Sequence, residues 1–203
     1  MSQEAKVGRV SNKRGFGANL REEILSAAER LLAASGSSDV VTLRAIARET
    51  GIAAPSVYPH FSDRDAILDA VVARTFTALA EECRAAAAAS HGVAKVEAIC
   101  LAYLAFARNS PGQYRILFER SPANIASPPH QYAEGIAAFA MLVDALGDIA
   151  GRDVPDSMLE AQSIFVALHG IATLTVALPG FPWADQTVLV RTLIAKSVGR
   201  PTD

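Results

Sequence analysis

The chain has 203 residues, enough for one large domain or two small ones, and 51% of them are hydrophobic against 20% charged, so a sizeable core is within reach. A formal net charge of −2 excludes a protein that coats nucleic acid by bulk attraction. No run of about 18 residues is free of both charge and turn signals, so no membrane span or membrane partner is expected. The opening MSQEAKVGRVSNKRG lacks the apolar core of a secretory signal. Cys83 and Cys100 lie in helical stretches without metal-ligand spacing, which favours reduced thiols and a cytoplasmic setting.

Charge is unevenly placed. Up to Asp65 there are nine Lys/Arg against eight Asp/Glu, and beyond it ten against thirteen. Lys6, Arg9, Lys13 and Arg14 crowd the start against Glu4 alone. Residues 1–18 are poor in apolar side chains, so they are expected to be disordered in the absence of DNA. A basic arm that follows phosphates or enters a minor groove and a solvated tail without a role both fit this composition.

Ile24, Leu25, Ala28, Leu31 and Leu32 recur at helical spacing and predict a first helix from about Leu20 to Ser35, ended by Gly36 and Ser37. The next stretch, TLRAIARETGIAAPSVYPHF from Thr42 to Phe61, is the centre of the chain. Thr42 is a good N-cap, and Leu43, Ile46 and Ala47 share one helical face. Gly51 can take the left-handed conformation that ends a helix. Ile52 and Val57 anchor a second short helix, with Pro55 early enough in it for its missing N–H to cost little. Two short helices around a glycine turn form the pattern of a helix-turn-helix, whose second helix enters the DNA major groove.

Ser62-Asp63-Arg64-Asp65 then resembles a capping box and should start a long helix running to about Ala89. Further helices are predicted at about 93–109 and 111–119, the latter opening on Pro111. The segment Ser121 to Pro129 holds three prolines and reads as a loop. Helices should resume at about 131–150, 155–178 and 184–198. Strand alternation is nowhere sustained, so the expected fold class is all-α. The domain plan is an arm over 1–18, a helix-turn-helix domain over 19–65, and a helical body over 66–203.

The segment Leu20 to Val71 closely resembles the DNA-binding domain of TetR-family transcriptional regulators. REEILSAAERLLAASG, VTLRAIARETGIAAPSVYPHF and SDRDAILDAV carry the resemblance. SVYPHFSDRDAIL is its most specific part, because the family has a similar Tyr-x-His-Phe before a charged cap and a long helix. Ala167-Leu168-His169-Gly170-Ile171 also looks like the Trp-His-Gly motif of one C-terminal subfamily, with Leu168 in the Trp position. NSPGQYRILFE is similar to the same group.

The resemblance implies DNA contacts at Thr42 and Arg44, at Ser56, Tyr58 and His60, and at Arg64 on the long helix. Ala53 and Ala54 fall where base readers stand, and alanine can touch a thymine methyl but cannot form bidentate contacts. It also implies a homodimer through the last two long helices, on faces carrying Leu159, Ile164, Leu168, Ile171, Val188, Leu189 and Leu193. An effector cavity is implied by Tyr103, Phe106, Tyr114, Phe118, Phe139, Met141, Phe165 and Trp183, with His169 either facing the ligand or in a structural role. The partners expected are therefore a palindromic double-stranded operator, a small hydrophobic or aromatic effector and a second copy of the chain. No cofactor is expected, because the sequence has no phosphate-binding loop, dinucleotide turn, nucleophile elbow or metal-spaced cluster. The alternative is an all-α ligand-binding or protein-interaction module without specific DNA binding.

Overall fold

The computed structural model describes residues 16–119, 133–149 and 154–199. The described residues form eight α-helices and two short 3-10 segments joined by turns and short connections, with no strand among them. Residues 1–15 of the expected arm and the whole of the expected loop Ser121 to Pro129 lie outside the described residues.

Helix α1, Phe16–Ser35, starts one turn earlier than the apolar period predicts. Gly36, at φ +68°, closes it with an N–H donated to the Leu32 carbonyl at 2.8 Å. A 3-10 turn at Ser38–Val40 leads to α2, Leu43–Thr50. The expected caps are formed: Thr42 Oγ1 accepts from the Ala45 N–H at 3.1 Å, and Gly51 adopts φ 68°, ψ 30°.

The second motif helix is shorter than expected. Ala54–Val57 is one 3-10 turn, after which the Val57 carbonyl accepts from the N–H groups of both His60 and Phe61. Pro59 explains the difference, since it has no N–H to give to a helical ladder, whereas Pro55 stands in the first turn, where none is needed. Asp63, rather than Ser62, then caps α3 (Arg64–Ala87) by accepting from the Ala66 N–H at 2.8 Å.

At about 1.5 Å per residue, α3 is about 36 Å long and belongs to two cores. Its N-terminal Ile67, Leu68 and Val71 pack with Ile24, Leu25, Ile46, Val57 and Phe61 to form the head. Its C-terminal Leu79, Cys83 and Ala87 join a second core with α4 (Gly92–Asn109), α6 (Ala133–Gly147), α7 (Val154–Ala177) and α8 (Gln186–Val198). Arg74 ties α3 to α1 through Glu22 at 2.8 Å and Glu29 at 3.1 Å. Burial nonetheless holds the Glu29 carboxyl above the usual carboxylate range.

Helix α5, Pro111–Glu119, connects the two cores. Its Ile116 is buried in the head, while Tyr114 and Leu117 are buried in the body. Gly112 allows the approach: a Cβ there would lie 2.5 Å from the backbone oxygen of Leu32 in α1. Gly112→Ala must therefore push α5 off α1. A loss of about 1–3 kcal/mol of stability is expected in denaturant unfolding, and an unchanged midpoint would contradict this packing.

Candidate nucleic-acid interface and interior cavity

The capped start of α2 and the tight turn after it present one polar surface. Arg44 is exposed on the first turn of α2, and Ala53, Ala54 and Ser56 follow on the loop and turn. Tyr58 is 57% exposed, although Val57 and Phe61 on either side are buried. The turn therefore fixes the tyrosine backbone while leaving its hydroxyl outside. His60 is half-buried beside it. Arg44 and Arg48 have no ion-pair partner among the described residues, which leaves two guanidinium groups available for an anionic backbone. By contrast, Arg30 is paired with Glu49 at 2.8 Å, and Arg21 lies over the Phe61 ring at 4.8 Å.

Arg64, expected to contact phosphate, is bonded within the head. Its Nε donates to the Val41 carbonyl at 2.7 Å and its Nη2 to the Ser38 carbonyl at 2.6 Å. It thus fastens the segment before α2 to the start of α3. A spacing rule cannot reveal this, because the acceptors are 23 and 26 residues away and on the main chain.

A cavity of about 580 Å³ lies in the body. Phe76, Leu79 and Cys83 of α3, Ile99 and Tyr103 of α4, Leu117 and Phe118 of α5, Ile136, Phe139 and Leu142 of α6, and Phe165 and Leu168 of α7 line it. Of the residues expected there, Tyr103, Phe118, Phe139 and Phe165 are present in the wall. Two others are elsewhere: Phe106 is packed in the core on another face of α4, and Trp183 is in the α7–α8 connection, against Phe181 and bonded to the Leu178 carbonyl. Met141 borders a separate depression with Arg84, His91 and Lys95. The α3 residues were missed because that helix reads as a strut, yet Phe76, Leu79 and Cys83 recur at helical spacing and mark its inner face.

A hydrogen-bonded relay backs the cavity. The Tyr103 and Tyr114 hydroxyls are 2.8 Å apart, and the Tyr114 hydroxyl is 2.8 Å from His169 Nδ1. His169 also packs against the Phe118 ring at 4.4 Å, so it serves the interior of the protomer. Burial pushes the Tyr114 hydroxyl up to about 12, raises Tyr103 further, and lowers the His169 imidazole. The relay is therefore uncharged near neutrality. Cys83 and Cys100 are buried free thiols, pushed up to about 12 by burial.

The face expected to pair two copies is divided. Ile164 and Leu168 are fully buried within the protomer, and Ile171 and Leu193 are half-buried against the same core. Leu189 is half-buried too. Leu159 and Val188 are exposed, and Val166 and Leu174, not expected, are exposed on the outer side of α7. The stretch Ser157–Ala177 is long and apolar enough, by length and composition, to cross a membrane, but its Ala161, Ile164, Leu168 and Ala172 belong to the body core.

The family model described as bacterial regulatory proteins, tetR family, matches residues 24–71, and that of the tetracyclin repressor-like C-terminal domain matches residues 96–196. A search of curated proteins finds no match. Among solved structures, a protein of unknown function from Rhodococcus sp. RHA1 is 27% identical with a TM-score of 0.73, covering 93% of this chain and 98% of its own. A TetR family transcription regulator from Marinobacter aquaeolei VT8 shares the fold at 16% identity and a TM-score of 0.67, over 91% of this chain and 98% of its own. The transcriptional regulator FadR from Bacillus subtilis, solved with stearoyl-CoA, shares it at 17% identity and 0.63, over 87% and 97%.

Two outcomes follow from the geometry. Arg64→Ala removes two charge-assisted bonds to carbonyls and should lower stability by about 1–3 kcal/mol, whereas Arg44→Ala should stay within about 0.5 kcal/mol. Equal effects in urea titrations would refute the division of roles. Cys100, fully buried and outside the cavity wall, should resist iodoacetamide in the folded protein at pH 8 and react only in denaturant; rapid native labelling would contradict its burial.

Proposed function

The chain belongs to the TetR family of bacterial regulatory proteins, and from that membership we propose a homodimeric repressor released from a palindromic operator by a small hydrophobic or aromatic effector. It is a DNA-binding transcription regulator with an N-terminal DNA-binding head and a C-terminal ligand-binding domain. We read it as cytoplasmic and without catalytic activity of its own.

The observation that carries the proposal is the placement of α5. Its Phe118 lines the cavity, its Tyr114 anchors the relay, and its Gly112 and Ile116 touch the head. A molecule that displaces Phe118 acts on the same short helix that α1 rests on. Binding therefore favours a conformer in which the two heads of a dimer no longer match successive major grooves. The ligand shifts that equilibrium only by its differential affinity for the two conformers.

The dimer supplies what one head lacks. With alanine at 53 and 54, each head has few side chains able to read bases, so two heads and DNA shape share the task. Arg44 and Ser56 are proposed as base or backbone contacts, and Tyr58 and His60 as phosphate contacts, with Thr42 beside the backbone. Leu159, Val166, Leu174 and Val188 form an apolar outer face on α7 and α8 that a second copy would cover.

Replacing Arg44 and Tyr58 together by Ala should weaken operator binding at least about a hundredfold in fluorescence anisotropy, with the dimer mass unchanged in sedimentation. Unaltered affinity would overturn the assignment of these residues.

A further inference from the structure

The effector's chemistry is narrowed by the walls of the cavity, on the reading that this cavity is the effector site. Among the described residues that line it there is no Lys, Arg, His, Asp or Glu. A carboxylate or ammonium held among these side chains would lose hydration without gaining a counter-charge from them, a penalty that apolar contact does not offset. Four phenylalanines, Phe76, Phe118, Phe139 and Phe165, supply ring surface instead.

Among the described residues that line the cavity, Tyr103 alone carries a side-chain oxygen. Among the described residues its hydroxyl has one hydrogen-bond partner, the Tyr114 hydroxyl at 2.8 Å, and a hydroxyl can make one donated and up to two accepted bonds. The relay runs in either direction. If His169 carries its proton on Nε2, Nδ1 accepts from Tyr114, whose oxygen accepts from Tyr103, and the Tyr103 oxygen is left to accept from a ligand. With the proton on Nδ1 every bond reverses, and the Tyr103 O–H is left to donate. A ligand hydroxyl, which both donates and accepts, suits both directions. A hydrocarbon suits neither.

We propose that the cavity takes a neutral, largely apolar phenol or alcohol whose hydroxyl bonds to Tyr103, and that the Tyr103–Tyr114–His169 relay is the specificity-determining element. Because Tyr114 stands on α5, the same bond places the ligand's polar end beside the helix that touches the head.

Equilibrium dialysis of the full-length protein against 4-phenylphenol, biphenyl and biphenyl-4-carboxylate tests this. The phenol should bind about tenfold or more tightly than biphenyl, and the carboxylate more weakly than the phenol. In Tyr103→Phe the phenol preference should shrink to within about twofold while biphenyl binds as before, which also shows that the variant is folded. Equal binding of phenol and biphenyl to the native protein, a preference that survives Tyr103→Phe, or a carboxylate that matches the phenol would each overturn the inference and leave the apolar cavity standing. Failure of all three probes to bind would overturn the cavity's assignment as the effector site, and the inference with it.

Discussion

The contact on which the rest depends is the approach of α5 to α1, where Gly112 places its backbone against the Leu32 carbonyl. Any side chain larger than hydrogen would separate them. That closeness lets one nine-residue helix bury Ile116 in the head and Tyr114 and Leu117 in the body. Without it, the head would hang from α3 alone. With it, the two cores share two elements, α3 and α5. The geometry explains how an interior cavity and a distant surface can belong to one device.

The head is held together by local chemistry. Thr42 and Gly51 bracket α2, Asp63 starts α3, and Arg64 ties the Ser38–Val41 segment to that start. These devices leave Arg44 and Tyr58 outside, fixed at the backbone and free at the tip. Such a surface suits a polyanion, because its donors are not consumed by the protein's own carboxylates. The neighbouring arginines at 30 and 74 are consumed in that way, and they serve the fold.

Much of this was legible in the chain itself, for identifiable reasons. Helix period, a threonine cap and a glycine stop are local, and each acts within about four residues, so α2 and the long strut could be placed from sequence. The recognition segment is shorter than its apolar anchors Ile52 and Val57 suggest, because Pro59 has no N–H to donate to a continuing helix. Side-chain roles that depend on partners far along the chain were not legible. The bonds of Arg64 to the Val41 and Ser38 carbonyls are an example. Phe106 and Phe165 are both aromatic residues in apolar helices, and only the packing decides that one is core and the other cavity wall. Likewise, the period of α7 marks an apolar helix all round, and does not say that Ile164 points inward while Val166 faces out.

We propose that this head binds a particular DNA sequence as part of a dimer. Fluorescence anisotropy of the native protein with the duplex upstream of its own gene, against excess random duplex and at two salt concentrations, tests it most directly. Binding should resist the competitor at the higher salt and saturate at an even number of protomers per duplex. Weak binding that the random duplex displaces equally well, and that vanishes as salt rises, would contradict it.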